Sequence, residues 1–114
     1  MSSFKQKYSL EKRRDEVDRI LVKYPNRVPI ICERHGTNLP ILDKTKYLVP
    51  LDLSVGQFIY IIRKRLTLAP EKALFLFINN QLPCGADTIG TVYHNHSDID
   101  GFLYINYSGE NTFG

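Results

Sequence analysis

The sequence predicts an α+β domain: a four-stranded mixed sheet grasping one crossover helix, behind an N-terminal helical extension. Three observations predict it. A helical period runs through residues 10–24, and two alternating stretches separated by a turn-rich loop follow it. A well-capped helix from residue 54 then stands between that pair and two further apolar strands.

Each element has a local reason. Val17, Ile20, Leu21 and Tyr24 recur at i, i+3, i+4 and i+7, with Glu11 to Glu16, Asp18 and Arg19 on the other faces. Ser9 is the expected N-cap, and Pro25 ends the helix by biasing Tyr24 away from helical angles. Phe4 to Tyr8 reads as a further short turn or helix. From Arg27 to Arg34, Val28, Ile30 and Cys32 alternate with Pro29, Ile31 and Glu33, which is a strand. Pro29 cannot donate to a ladder, so one side of that strand is expected to be unpaired there. After the turn formers of His35 to Pro40, Lys46 to Pro50 reads as a second strand, making a hairpin-like pair. Ser54-x-x-Gln57 is a capping box, and Val55, Phe58, Ile59, Ile61, Ile62 and Leu66 give its helix a broad apolar face that Pro70 is expected to stop. Leu74 to Ile78 is apolar throughout, the pattern of a strand covered on both faces. Asn79-Asn80 is a turn, residues 87–94 a short helix, and Phe102 to Tyr107 the last strand. This is the ubiquitin-like β-grasp order. The expected division is a helical extension over 1–24, the β-grasp core over 25–107 and a tail over 108–114.

At 114 residues, 43% hydrophobic and 24% charged, the composition is that of one globular domain. The net charge of +3 hides an asymmetry. Residues 1–65 carry 14 Lys/Arg against 7 Asp/Glu, whereas 66–114 carry Lys72 against Glu71, Asp87, Asp98, Asp100 and Glu110. Such polarity suits steering of charged partners. Nucleic acid is not expected as a partner: there is no zinc-finger spacing, no glycine-aromatic RNA motif and no tryptophan. The two cysteines, Cys32 and Cys84, form no C-x-x-C pair and read as free thiols of a reducing cytosol, Cys32 as core filler. The longest apolar runs are far too short to span a bilayer, and Ser2 after Met1 lacks the myristoylation pattern, so membrane attachment has to be peripheral or covalent.

No catalytic constellation stands out, and an enzyme is not expected. His94-x-His96 with Asp98 lacks the ligand number of a strong metal site. Gly85 to Gly90 has the outline of a phosphate loop, but Thr91-Val92 follows where Lys-Ser/Thr is required. Neither a metal nor a cofactor is therefore expected. Two features point to binding and conjugation instead. The chain closes on Gly114 after a short polar run, and a terminal glycine carries the least hindered carboxylate for adenylation, thioester formation and transfer to an amine. Many chains end in glycine, so this alone decides nothing. Residues 46–50, if an edge, can accept an extended peptide by strand addition, with Arg27, Lys44, Lys46, Arg63 and Arg65 favouring acidic flanks. From the residues alone the alternative stays open that Leu48 and Val49 are core and the cations a solvated face.

A resemblance weighs between these readings. Glu11-Lys12-Arg13-Arg14, Lys23-Tyr24-Pro25-Asn26-Arg27-Val28-Pro29, Lys46-Tyr47-Leu48-Val49-Pro50, Val55-Gly56-Gln57-Phe58, Ile62-Arg63-Lys64-Arg65, Phe77-Ile78-Asn79-Asn80, Phe102-Leu103-Tyr104 and Phe113-Gly114 occur in order. Together, from about Tyr8 to Gly114, they resemble the autophagy-related protein 8 family of ubiquitin-like modifiers, of GABA-receptor-associated protein and microtubule-associated light-chain type. The resemblance implies conjugation of Gly114 to phosphatidylethanolamine by activating and conjugating enzymes, a processing and delipidating cysteine protease, and a cytoplasmic protein found on the autophagosome membrane when lipidated. It also implies recruitment of receptors through aromatic-x-x-aliphatic motifs. The aromatic pocket it implies is Glu16, Ile20, Pro29, Ile31, Lys46, Leu48 and Phe102; the aliphatic pocket is Tyr47, Val49, Pro50, Leu53, Phe58 and Ile61; Arg27 and Arg65 meet flanking acids. The alternative is a non-conjugated trafficking or cytoskeletal adaptor using the same groove. This sequence departs from many relatives in a shorter 35–43 loop and at Leu51 and Gly101. No residue follows Gly114 for a protease to remove, so the sequence is expected to be either a form needing no maturation or a trimmed one.

Overall fold

The computed structural model describes residues 2–111. Its elements are α1 (Ser3–Lys7), α2 (Leu10–Lys23), β1 (Arg27–Arg34), β2 (Lys46–Pro50), α3 (Val55–Leu66), β3 (Phe75–Phe77), α4 (Ile89–His96) and β4 (Leu103–Ser108). The four strands form one mixed sheet in the order β2-β1-β4-β3. β1 pairs antiparallel with β2 and parallel with β4, and β3 pairs antiparallel with β4. The two edge strands are consecutive in the chain, so α3 carries the backbone across a whole face of the sheet.

Strand alternation sorts the core into two layers. Val28, Ile30 and Cys32 of β1 face α3 together with Tyr47, Val49, Leu103, Ile105 and Tyr107, where Phe58 and Ile62 are fully buried. Ile31 and Phe102 face the other way and meet Phe4 and Val17 of α1 and α2. β1 therefore has covered faces on both sides and a strand at each edge, which explains its five consecutive buried residues.

Caps account for the helix boundaries. The Ser9 hydroxyl accepts from the Lys12 amide at 3.2 Å, and Ser54 and Gln57 form the expected capping box, with bonds of 3.0 and 2.9 Å. α3 ends earlier than Pro70 would dictate. Thr67 adopts the left-handed conformation (φ 54°, ψ 46°), and the Leu68 amide donates back to the Arg63 carbonyl at 3.3 Å, the closure of a Schellman turn. The short C-terminal helix begins after Thr88, whose hydroxyl accepts from the Thr91 amide at 3.1 Å, so it lies two residues later than its pattern suggested.

β3 departs most from expectation. Its apolar run reads as a doubly covered strand, yet it lies at the sheet edge, pairs over three residues and leaves Phe75 half-buried. The run is apolar because Leu74, Leu76 and Ile78 pack on the core and Phe77 is buried, not because strands flank it on both edges. Asn79 and Asn80 follow with φ of 52° and 62°, turning the chain so that Ile78 and Gln81 exchange hydrogen bonds of 2.9 and 3.0 Å.

The N-terminal helices are fastened largely by charge. Arg13 reaches Asp100 at 2.6 Å with that carboxylate's side chain fully buried, and the Tyr104 hydroxyl donates to the same oxygen at 2.5 Å. Lys5 meets Asp98 at 2.5 Å. Burial alone would raise the Asp98 carboxyl, but hydrogen bonds from the Lys5 ammonium and the Asp100 amide hold it below its ordinary 3.8. A depressed folded-state value means the stabilisation is complete above the unfolded pKa and is lost as pH falls through the folded one. Urea midpoints are therefore expected to fall as pH drops below 3.8. Lys5→Met should shrink that fall, and an unchanged slope would mean the pair contributes nothing to acid stability.

Candidate functional site

The outer edge of β2 brings unpaired backbone, apolar side chains and cations together. Its geometry follows from the phase of the β1–β2 ladder. The Cys32 amide donates to the Thr45 carbonyl at 2.8 Å, and the Leu51 amide to the Asn26 carbonyl at 3.2 Å. Between those points antiparallel pairs alternate, which makes Val28↔Val49 and Ile30↔Tyr47 the hydrogen-bonded pairs. Lys46 and Leu48 consequently direct their amides and carbonyls away from β1. Among the described residues no strand takes them up. Pro29, opposite Leu48, turns its donor-less nitrogen toward β4, one residue before the parallel ladder opens at Ile30↔Leu103, so it leaves no gap in β2's pairing.

The same phase distributes the side chains named above. On the α2 face, the pairs Pro29↔Leu48 and Ile31↔Lys46 are the closely spaced kind, and Phe102 enters beside them from the start of β4. Pro29, Ile31 and Phe102 are buried there, Leu48 is half-buried and Lys46 exposed. Glu16 and Ile20 lie one helical turn apart on α2, and Glu16 holds Lys46 at 2.7 Å. On the α3 face lie Tyr47 and Val49, with Phe58 fully buried and Leu53 and Ile61 half-buried, whereas Pro50 ends the strand exposed and in phase with Leu48. The Tyr47 and Phe58 rings meet edge-to-face with centroids 5.6 Å apart. Pro50 apart, the strand residues of the two groups thus lie on opposite faces of one unpaired edge.

Comparison with known proteins bears on what such an edge belongs to. A family model described as Autophagy protein Atg8 ubiquitin like matches residues 12–114. This chain belongs to the Atg8 family. It is 57% identical over 114 residues to Autophagy-related protein 8 of Mycosarcoma maydis, covering 99% of this chain and 97% of that protein. Identity to Autophagy-related protein 8d of Arabidopsis thaliana is 55% over 115 residues, covering 100% and 96%. Among solved structures, Trypanosoma brucei ATG8 superposes with a TM-score of 0.91 at 40% identity, covering 100% of this chain and 99% of that one. Plasmodium falciparum Atg8, solved in complex with a Plasmodium falciparum Atg3 peptide, superposes with a TM-score of 0.89 at 38% identity over 96% and 98%. The chain is thus a ubiquitin-like autophagy protein.

Electrostatics around the edge of this Atg8 chain are strongly cationic but internally paired. Arg27 makes a long 3.5 Å contact with the outward Leu48 carbonyl and lies 5.9 Å from the Tyr24 ring centroid. Arg65 grips Asp43 with both terminal contacts near 3 Å, at 3.0 and 3.1 Å. Lys44 and Arg65 lie 5.3 and 5.9 Å from the Tyr47 ring centroid. Sequence reasoning named Arg65 without Asp43, its counter-ion 22 positions away. It also missed the Arg13–Asp100–Tyr104 cluster, whose members share no motif. The cluster of turn-forming and acidic residues at 98–101 was its only signal. Gly114 lies outside the described residues. Among the described residues no group of His, Cys, Asp and Glu could hold a metal ion. Both cysteines are free, and burial pushes the Cys32 thiol well up.

Tyr47 carries an anomaly. Among the described residues its hydroxyl is the only buried side-chain oxygen or nitrogen without a hydrogen-bond partner, and burial pushes it up to about 12. Tyr107 is its counterpart: its hydroxyl donates to the Pro40 carbonyl at 2.7 Å and accepts from the Leu42 amide at 2.8 Å, tying the 35–45 loop to the core. Removing an unsatisfied buried hydroxyl relieves a cost, whereas removing a satisfied one strands its partners. Tyr47→Phe is expected to raise unfolding stability by about 1 kcal/mol and Tyr107→Phe to lower it by about 1–3 kcal/mol. Chemical denaturation checks both, and equal losses would contradict the assignment.

Proposed function

We propose that this chain is a ubiquitin-like modifier of autophagy rather than an enzyme, conjugated through Gly114 to phosphatidylethanolamine and recruiting receptors with aromatic-x-x-aliphatic motifs. The observation that carries the receptor half is the unpaired β2 edge with apolar groups on both faces. A strand added along Lys46 and Leu48 alternates its side chains between the two faces. Residues three apart in such a strand have opposite parity, so an aromatic residue entering beside Phe102 sends the residue three positions later toward Val49 and Phe58. The motif spacing follows from strand geometry. Glu16, Ile20, Pro29, Ile31, Lys46, Leu48 and Phe102 receive the aromatic anchor. Tyr47, Val49, Pro50, Leu53, Phe58 and Ile61 receive the aliphatic one. Arg27 and Arg65 meet acidic flanks, for which Arg65 must exchange Asp43.

Family membership supports the conjugation half, and the Atg3 peptide held by the Plasmodium relative supports a conjugating enzyme among the partners. The division of labour is a helical extension over 1–24, a β-grasp core over 25–107 and a conjugation tail over 108–114. The other partners are an activating enzyme, a processing and delipidating protease, and phosphatidylethanolamine membranes. Among the described residues no helix is long and apolar enough to cross a membrane. In this reading the conjugated lipid holds the cytoplasmic protein on the autophagosome. Each buried CH₂ adds about 0.8 kcal/mol, and two acyl chains hold stably where one is marginal.

Two experiments test the halves. Burying an anchor contributes about 1.5–3 kcal/mol, so two anchors with backbone pairing, less the cost of ordering the peptide, give roughly micromolar affinity. Leu48→Arg should weaken a motif peptide at least about 100-fold by calorimetry with the fold intact. Unchanged affinity would remove the groove assignment. Incubation with activating and conjugating enzymes, ATP and phosphatidylethanolamine liposomes should add a lipid-sized mass that is absent when Gly114 is deleted. No adduct from enzymes active on a relative would favour a non-conjugated adaptor.

A further inference from the structure

The loop over residues 98–101 is gripped at every position by the N-terminal helices. Lys5 pairs with Asp98 at 2.5 Å, Arg14 donates to the Ile99 carbonyl at 3.2 Å and Arg13 pairs with Asp100 at 2.6 Å. The fourth contact is steric. A Cβ at Gly101 would lie 2.6 Å from Val17 Cγ1 and 3.2 Å from Val17 Cβ, far inside contact distance. Gly101 also sits at φ +93°, a conformation L side chains rarely adopt.

The loop is also held by hydrogen bonds of its own. The Asp98 amide donates to the Phe102 carbonyl at 2.8 Å, the Gly101 amide to the Asp98 carbonyl at 2.9 Å, and the Tyr93 hydroxyl to the Gly101 carbonyl at 2.7 Å. Asp100 accepts from the Phe102 amide at 2.8 Å. Val17 follows Glu16 on α2 and precedes Ile20 by less than one turn, and Gly101 directly precedes Phe102. Val17 and Phe102 share one buried cluster with Phe4 and Ile31. The Val17–Gly101 contact thus joins the helix that carries Glu16 and Ile20 to the segment that carries Phe102.

We propose that Gly101 is a positioning residue that sets the width of the aromatic pocket and hence the size of the receptor anchor it prefers. It touches no peptide. The absence of its side chain lets α2 close on the sheet. A methyl at 101 levers Glu16 and Ile20 outward and opens the pocket for an indole; trimming Val17 lets α2 settle inward and favours a phenyl ring. This inference rests on the motif-binding reading above.

The test uses the full chain and peptides identical except for Trp, Tyr or Phe at the aromatic position, titrated by calorimetry, with thermal unfolding of each variant. Gly101→Ala should shift the Trp-to-Phe affinity ratio about fivefold toward Trp, Val17→Ala should shift it the opposite way, and the double variant should return toward the parent. The penalty for trimming the aliphatic anchor to alanine should stay the same in all of them. An unchanged ratio in both single variants, or parallel weakening of all three peptides in step with lost stability, overturns the proposal. If Gly101→Ala fails to fold, Val17→Ala decides alone. A parent chain that binds no peptide removes the motif reading and this inference together, whereas a parent that binds while the ratio stays unchanged removes only the inference.

Discussion

The phase of the antiparallel ladder between β1 and β2 governs what this molecule can do. Because Val28 and Ile30 make the hydrogen-bonded pairs with Val49 and Tyr47, the backbone groups of Lys46 and Leu48 have nowhere to go but outward. A slip of one residue would turn Tyr47 and Val49 away from α3 and bury the Lys46 side chain in their place. That slip is prevented by burial. Val28 and Ile30 are fully inaccessible, and the Tyr47 and Val49 side chains opposite them fill the space above Phe58. The open edge is therefore a by-product of core packing.

Edges of this kind attract unwanted strands, and the chain manages it with charge. Lys46 is exposed on the strand, and Arg27 approaches the Leu48 carbonyl. The cations are not idle while the groove is empty: Glu16 holds Lys46 and Asp43 holds Arg65. Such exposed pairs contribute little to stability, at most about 1 kcal/mol each, so an acidic ligand can displace them at small cost. The buried Arg13–Asp100 pair is of another kind. Its carboxylate is satisfied by Arg13, Tyr104 and the Phe102 amide, and loss of any partner would leave charge in an apolar layer. One class of ion pair can open for a ligand; the other keeps α2 where the groove needs it.

Much of the fold was legible because its elements obey local rules. The α3 capping box, the alternation of β1 and the α2 period each act within a few residues, and their boundaries agree with the structure to within a residue or so. The misreadings share a cause. Pro70 reads as a helix stop, but a left-handed Thr67 closes α3 first, a choice made by local backbone geometry that a threonine does not advertise. Leu74 to Ile78 reads as an interior strand, but apolarity reports burial and not the number of neighbouring strands. The groove residues were assembled by resemblance. Residue patterns alone left residues 46–50 equally readable as core, since an edge strand's free side is a property of what does not pair with it.

Periods, caps and turn formers, all short-range, determined by themselves that this chain would be a β-grasp sheet with helices ahead of it. The succession of family-like blocks marked its relatives. Tertiary structure alone decided the strand order, which puts β2 and β3 at opposite edges, and the ladder phase, which turns Leu48's backbone outward. It also decided the union of Lys5, Arg13, Arg14 and Val17 with residues 98–101, more than 80 positions later in the chain for each hydrogen-bonded contact. The reason is physical. Local propensities act through backbone sterics within a turn or two, whereas edges, ion pairs and close approaches exist only once distant segments exclude water from between them.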